Sequence, residues 1–140
     1  MAFPLDVTKT AGTEGVSATT LTFVDWFTAS DGLLAGDYII VVCSNQSGTN
    51  TALELTSATG SWTKPDDTDS PRVGSFLRSE IWFHKYDGTT LPTAPTASNG
   101  ANTAWTGGAL VVRGAPDVAD LSWIDIIGRA DNSTVARVLS

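Results

Sequence analysis

An unbroken row of β-branched and aromatic residues follows Gly36 and Asp37, where positions 36–43 read Gly-Asp-Tyr-Ile-Ile-Val-Val-Cys. A continuous apolar run of this length, closed by turn residues such as Ser44, Asn45 and Gly48, indicates an interior strand that is covered on both faces. On an exposed edge the same row would promote aggregation. We therefore expect the rest of the chain to pack around this strand.

The length and the cysteine content limit how the chain can be stabilised. At 140 residues it has the size of one ordinary domain that can bury a core. Cys43 is the only cysteine, so no intrachain disulfide can form and a zinc site would lack thiolate ligands. We expect a single domain over residues 1–140 that is held together by packing, with no cofactor and no metal.

The charge and the hydropathy exclude two classes of partner. Acidic residues outnumber basic ones by 15 to 8, for a net charge of −7, whereas a nucleic-acid backbone needs clustered Lys and Arg. The longest apolar stretch, residues 38–43, is far shorter than the roughly 20 residues of a membrane-spanning helix. Residues 1–15 lack the apolar core of a signal peptide. We expect neither a nucleic-acid nor a membrane partner.

Short alternating or apolar segments separated by Gly, Pro, Asn and Asp turns predict an all-β chain. Residues 11–15 are predicted as a turn, residues 51–57 as a strand in a hairpin with the central strand, and residues 91–102 as a loop or a loosely paired edge. The predicted strands cover residues 3–8, 16–27, 36–43, 51–57, 76–86 and 105–113, with further strand-like segments at 123–127 and 135–139.

About eight short strands favour a two-sheet antiparallel β-sandwich, jelly-roll-like rather than immunoglobulin-like. No turn or polar tail follows the strand-like pattern that runs up to Leu139. This leads to the hypothesis that the domain is the N-terminal part of a longer polypeptide.

Four stretches, in this order, resemble a β-sandwich module of bacteriophage structural proteins, a family that includes tail fibres, tail-associated proteins and head fibres or capsid decorations. In such modules a Gly-Asp opens an apolar strand, a Gly-x-Trp-Thr turn and an aromatic strand follow, and a Trp leads into an apolar strand closed by Arg-Gly. The stretches here are residues 33–42 (Leu-Leu-Ala-Gly-Asp-Tyr-Ile-Ile-Val-Val), 60–63 (Gly-Ser-Trp-Thr), 79–86 (Ser-Glu-Ile-Trp-Phe-His-Lys-Tyr) and 105–114 (Trp-Thr-Gly-Gly-Ala-Leu-Val-Val-Arg-Gly).

The resemblance covers residues 16–128 and implies a virion protein without catalytic residues. Two features depart from the family pattern: the long proline-containing segment 91–102 and the unusually aromatic segment 24–27 (Val-Asp-Trp-Phe). Both departures concern the surface of this copy of the module.

Few residues are suited to catalysis or metal binding. Cys43 and His84 are the only thiol and imidazole, but Cys43 ends a predicted buried strand, where a thiol behaves as a small apolar group. Asp66, Asp67 and Asp69 offer oxygen ligands without the spacing of a calcium loop, so a solvated loop is the simpler interpretation. The strand acids Glu54, Glu80 and Asp125 would have to converge in a cleft to hydrolyse a glycoside, and nothing in the sequence links them.

The five tryptophans offer a different kind of site. Trp82 and Trp105 lie inside predicted strands, and we expect them in the core. Trp26 and Trp62 lie beside turns, so we expect them to contact a neighbouring subunit or a glycan.

The resemblance implies a non-enzymatic virion component that binds other virion proteins, and we expect it to assemble as a homo-oligomer, with a trimer as the first expectation. The alternative is a carbohydrate-binding module that recognises host surface glycans. An enzyme ranks third.

Overall fold

The structure is a computed structural model that describes residues 8–46, 52–64, 72–73 and 77–113. In these residues the chain is all-β, as the sequence predicts, and the strands pair antiparallel. One 3₁₀ turn, η1 (Ala29–Asp31), lies between the first two strands. The strands are β1 (Thr8–Thr22), β2 (Tyr38–Gln46), β3 (Glu54–Thr56), β4 (Arg72–Val73), β5 (Leu77–Lys85) and β6 (Thr96–Val112).

Strand β2 is the central strand that the apolar row predicts. It pairs with β5 along one edge and with β6 along the other. Its first four residues, Tyr38 to Val41, are all buried. Ile39, Val41 and Cys43 are 0% exposed and face the core. The predicted interior strand is confirmed.

The strands belong to one six-stranded sheet in the order β1-β6-β2-β5-β4, and β3 pairs with β6 outside this path. Beyond β3, Thr63 exchanges two backbone hydrogen bonds of 2.9 Å with Phe83 of β5. The pairing thus runs from β6 through β2 and β5 to the segment after β3, and from β3 back to β6. The sheet is nearly closed, like a barrel.

Strand β6 is much longer than its sequence pattern predicts. Residues 96–102 were predicted as loop or loose edge, and that prediction is wrong because residues 96–98 pair with β1 on one side and β3 on the other. Ala97 is fully buried there and Asn99 is 7% exposed. This half of the strand consists of small and polar residues, so it lacks the apolar pattern by which strands are recognised in a sequence.

Two further predictions about pairing are corrected. Residues 11–15 are not a turn but part of β1, which pairs with β6 from Thr8 to Thr13 and again from Ala18, after a register shift. Strand β3 pairs with β6 rather than forming a hairpin with β2. The predicted strand at 3–8, apart from Thr8, and the segments at 123–127 and 135–139 lie outside the described residues.

The core lies inside the nearly closed sheet. Leu21 and Phe23 are buried, as the alternation in the second predicted strand requires, and so are Trp82 and Trp105. The indole N–H of Trp105 donates a 2.9 Å hydrogen bond to the Ala18 carbonyl. The predicted core positions of Trp82 and Trp105 are confirmed.

Asp37 and Arg113 join the start of β2 to the end of β6. Nε and Nη2 of Arg113 donate to the two carboxylate oxygens of Asp37 at 3.0 and 2.8 Å, and Nη2 also donates to the Gly32 carbonyl at 2.7 Å. The Leu34 amide donates to Asp37 Oδ2 at 2.8 Å. Such a two-pronged pair has well-defined geometry, so it fixes both strand ends together.

Burial by itself raises the pKa of Asp37, but the hydrogen bonds from Arg113 and Leu34 and the positive charge of Arg113 outweigh burial and place this pKa below its ordinary value of 3.8. Because the folded-state pKa is the lower one, the ionised carboxylate stabilises the fold above pH 4. That contribution is lost as the pH falls from the ordinary pKa of 3.8 through the lower pKa of Asp37 in the folded state.

The backbone approaches the core closely at Gly107. A Cβ atom built at this position would lie 2.7 Å from Leu21 Cδ2, 3.2 Å from Phe23 Cζ and 3.2 Å from the Val42 carbonyl oxygen. Because these neighbours are packed into the core, we expect Gly107→Ala to lower the free energy of unfolding by about 1–3 kcal/mol. Urea denaturation measures it. Exposed Thr106→Ala is the control and should change stability by about 0.5 kcal/mol or less; equal effects of the two substitutions would contradict the close approach.

Asp37→Asn should lower the free energy of unfolding by about 1–3 kcal/mol at pH 7, because it removes the charged acceptor of the Arg113 hydrogen bonds at a buried position. The difference from the unsubstituted chain should shrink as the pH falls below about 4, where the carboxylate becomes protonated. Urea denaturation at a series of pH values measures both. A difference that stays constant down to pH 2 would contradict the ion-pair account.

Candidate functional site

Trp26 and Trp62, which the sequence singles out as contact residues, are brought together in the fold. Their ring centroids lie 6.0 Å apart in an edge-to-face arrangement, and Trp26 also contacts the rings of Phe23 at 5.4 Å and Phe27 at 5.0 Å. Trp62 contacts the His84 ring at 5.8 Å. We call these five residues the aromatic cluster. Their contact role stays a prediction.

Hydrogen bonds fix the orientation of both indole rings. Nε1 of Trp26 donates to the Pro92 carbonyl at 2.7 Å, and Nε1 of Trp62 donates to Ser57 Oγ at 3.0 Å. Both side chains are half-buried. With their only donors used inside the protein, the parts of these rings that reach the surface are apolar.

The two loops beside the rings are clamped to each other. The Thr59 amide donates to Thr93 Oγ1 and the Thr93 amide to Thr59 Oγ1, each at 3.1 Å. Gly60, at φ +89°, lies so close to Pro92 that a Cβ atom would be 2.6 Å from the proline Cβ. The aromatic cluster is therefore held by a rigid support. The sequence signal for this support was the Gly-x-Trp-Thr turn, but the pairing with residues 91–95 had no local signal.

His84 joins the cluster through its position on β5. Its Nδ1 lies 2.9 Å from the Ser61 carbonyl oxygen, an acceptor, so Nδ1 carries the proton. Its Nε2 is buried and has no hydrogen-bond partner among the residues that the structure describes. The imidazole thus helps to orient the loop that carries Trp62.

Cys43 and His84 are not a nucleophilic pair. Cys43 lies opposite Glu80 in the β2–β5 register, whereas His84 lies opposite Ile39, four residues away and therefore about 13 Å along the strand. Burial, and secondarily the negative charge of Glu80, raises the pKa of the Cys43 thiol to about 12. The thiol is thus protonated and enclosed.

The two candidate acids that the structure describes, Glu54 and Glu80, do not converge either. Glu54 is exposed, whereas Glu80 is 6% exposed inside the sheet. Glu80 Oε1 accepts a 3.1 Å hydrogen bond from the Leu53 amide, and Oε2 pairs with the ammonium group of Lys64, which also lies 5.3 Å from the Trp82 ring centroid. Glu80 therefore links β5 to the segments on either side of β3, and its two oxygens are occupied.

The remaining site candidates, Asp66, Asp67, Asp69 and Asp125, lie outside the described residues. Within the described ranges, no group of three or more His, Cys, Asp or Glu side chains could hold a metal ion. No helix in the same part of the chain is long and apolar enough to cross a membrane.

Comparison with known proteins gives no relative from which a role could be transferred. No family model matches the chain, and neither a curated protein nor a solved structure is significantly similar to it. The geometry of the chain itself has to carry the functional argument.

The environment of Cys43 predicts its chemical reactivity. Because the thiolate is the reactive form and the pKa is raised to about 12, we expect iodoacetamide at pH 8 to leave Cys43 unmodified in the folded chain. In urea the same thiol should be alkylated at the rate of a free cysteine. Intact-mass spectrometry over time measures both rates. Fast alkylation of the folded protein, with its circular dichroism unchanged, would contradict the enclosed thiol.

Proposed function

We propose that this chain is a non-enzymatic structural module of a bacteriophage particle, of the tail-fibre or capsid-decoration type, which binds neighbouring virion proteins. The proposal starts from the resemblance of four sequence stretches to such modules. Its localisation would be the virion, and it requires no cofactor.

The observation that carries the proposal is that these four stretches contact one another in the fold. Asp37 of the Gly-Asp stretch holds Arg113 of the Arg-Gly stretch, as described above. Thr63 of the Gly-x-Trp-Thr stretch pairs with Phe83 of the aromatic strand, and Trp62 packs against His84. Stretches that were matched by order alone thus form one packed unit, which supports the resemblance as a module and not as four chance matches.

The aromatic cluster supplies the surface for a partner. Its two indoles reach the surface as apolar rings in fixed orientations, and rigid aromatic anchors of this kind dominate the energy of protein interfaces. Two aliphatic residues add to the exposed apolar area: Val24, 91% exposed, and Leu34, 57% exposed. Burial of such surface against identical subunits favours a closed symmetric oligomer, and we retain the homotrimer as the first candidate.

We further infer that the nearly closed sheet is divided into two facing layers, as in a jelly-roll-like β-sandwich. Strand β6 pairs with β2 only from Ala104 onward and with β3 only up to Ser98, so its two halves have different neighbours along this edge, whereas β1 pairs with both halves along the other. The register shifts of β1 between Thr13 and Thr20 lie opposite the junction of these halves, and bulges of this kind bend strands. An experimental structure with evenly curved strands and no two facing layers would contradict this inference.

Purified particles of the virus that encodes the chain test the virion role. We expect quantitative mass spectrometry to find its peptides at a fixed ratio to the major capsid or tail proteins, through successive density gradients. The chain's presence in the lysate but its absence from washed particles would contradict the proposal.

Light scattering on the isolated chain tests the oligomer. We expect the mass of three chains of 14.6 kDa each and a shift towards monomer in Trp62→Ala, with the far-ultraviolet circular dichroism retained. Exposed Thr106→Ala is the matched control and should remain trimeric. A monomer at all concentrations, or a trimer that Trp62→Ala leaves unchanged, would contradict the role of the aromatic cluster in oligomerisation.

Glycan binding is the second candidate, and Trp62 is the observation that favours it. A half-buried indole with fixed orientation suits stacking against a sugar ring, and Trp62 has fewer ring neighbours than Trp26. Binding on a glycan array that Trp62→Ala abolishes and Trp62→Phe retains would favour this role over the structural one.

A further inference from the structure

Three side chains with complementary chemistry lie towards the end of β2: an amine, a carboxylate and a carboxamide. The carboxylate of Glu80, a residue that is 6% exposed, contacts the ammonium group of Lys64 through Oε2. The carboxamide belongs to Asn45 of β2, which is 1% exposed. A polar side chain that is buried this deeply needs an explanation.

The strand register places Asn45 beside Glu80. Glu80 lies directly opposite Cys43, and Asn45 is the next residue of β2 on the same face of the sheet. The Cα atoms of such diagonal neighbours are about 7–8 Å apart, a separation that long side chains can span. The negative charge of Glu80 helps to raise the pKa of the Cys43 thiol, so the carboxylate extends along this face. Lys64 Nζ, which contacts that carboxylate, is therefore within reach of the Asn45 carboxamide.

Buried aromatic rings flank the three groups. Lys64 Nζ lies 5.3 Å from the centroid of the Trp82 ring, and Trp105 lies directly opposite Asn45 in the β2–β6 register. Trp82 is 3% exposed and Trp105 is 2% exposed. Since these rings keep water away from the carboxamide, electrostatic interactions there are strengthened and its hydrolysis is disfavoured.

The Asn45 carboxamide also has an unused acceptor. Its Nδ2 donates to Thr103 Oγ1 at 3.4 Å, whereas Oδ1 is buried and has no hydrogen-bond partner within the described part of the chain. Leaving a buried acceptor without a donor is costly. The Glu80 carboxyl group becomes a donor for Oδ1 once it holds a proton taken from Lys64.

We propose that Lys64 and Asn45 form an intramolecular isopeptide bond, with Glu80 as the general base and acid. Glu80 takes a proton from the Lys64 ammonium group, and the neutral amine attacks Cγ of Asn45. The Nζ–Cγ bond forms, the Cγ–Nδ2 bond breaks, and Glu80 relays the two protons lost by Nζ to the departing nitrogen. This nitrogen leaves as ammonium and Glu80 is again a carboxylate, so atoms and charge balance without an oxidant or a cofactor.

The bond would join β2 covalently to the segment that follows β3. The chain has one cysteine and cannot form an intrachain disulfide, whereas an isopeptide bond constrains the unfolded chain in the same way as a disulfide does. It forms once in each chain and involves no turnover, so it is compatible with a module that is not an enzyme.

Intact-mass spectrometry of the full chain tests the bond. We expect the folded chain to be lighter than its sequence by one ammonia molecule. The loss should be absent in Lys64→Arg and in Asn45→Ala, and Glu80→Gln should slow it by about a hundredfold or more. Lys85→Arg, at an exposed lysine on the same strand as Glu80, is the matched control and should retain the loss. Far-ultraviolet circular dichroism identifies any variant that fails to fold, and the mass of the unsubstituted chain does not depend on the variants.

Digestion with a protease that cleaves after glutamate locates the bond. Such cleavage places Asn45 in the fragment 15–54 and Lys64 in the fragment 55–80. We expect these two fragments to remain joined in the unsubstituted chain and to separate in Lys64→Arg.

Three outcomes would overturn the proposal. The first is an unsubstituted chain, incubated in the folded state at pH 7, that keeps the full mass of its sequence. The second is a loss of ammonia that a folded Lys64→Arg variant retains. The third is a loss that maps to the fragment 81–140, since Asn99 and not Asn45 would then be the reacting carboxamide.

Discussion

The pairing of β6 with three other strands is the constraint on which the rest of the structure depends. Its first residues hold β1 and β3, and its last residues hold β1 and β2. Because one strand serves both halves, the ladder runs from β6 through β2 and β5 and returns by way of Thr63 and β3. Without β6 the central β2 would lose one edge, and the segment that carries Trp62 would lose its attachment through β3.

Two buried carboxylates add further links between the segments that the sheet brings together. Burying a carboxylate is costly unless it is paired and hydrogen-bonded, and both buried acids of the described chain meet this condition. Asp37 is held by Arg113 and the Leu34 amide, and Glu80 by Lys64 and the Leu53 amide. Each connects segments that are distant in sequence. Their oxygens are engaged in contacts that hold the fold together.

The sequence predicted the elements with strong apolar patterns and missed those without. The β2 row, the Leu21–Phe23 alternation and the core tryptophans are recognisable because burial selects their residue types. The first half of β6 consists of Thr, Ala, Ser, Asn and Gly and follows two prolines, so its sequence is typical of a loop. Consecutive strands usually pair, so the sequence predicts a hairpin of β3 with β2. In the fold β3 pairs with β6 instead. The sequence placed Trp26 and Trp62 on the surface as separate candidates, but their contact and the clamp between Thr59 and Thr93 depend on distant segments.

The most direct test of the central role of β6 is native-state hydrogen exchange at Thr96, Ala97 and Ser98. These residues pair on both sides, so their amides should exchange only through opening of the whole domain, as slowly as those of Ile40 and Val41 in β2. Exchange at these three residues as fast as in an exposed loop, with β2 still protected, would show that the first half of β6 is not a shared strand and would contradict the account.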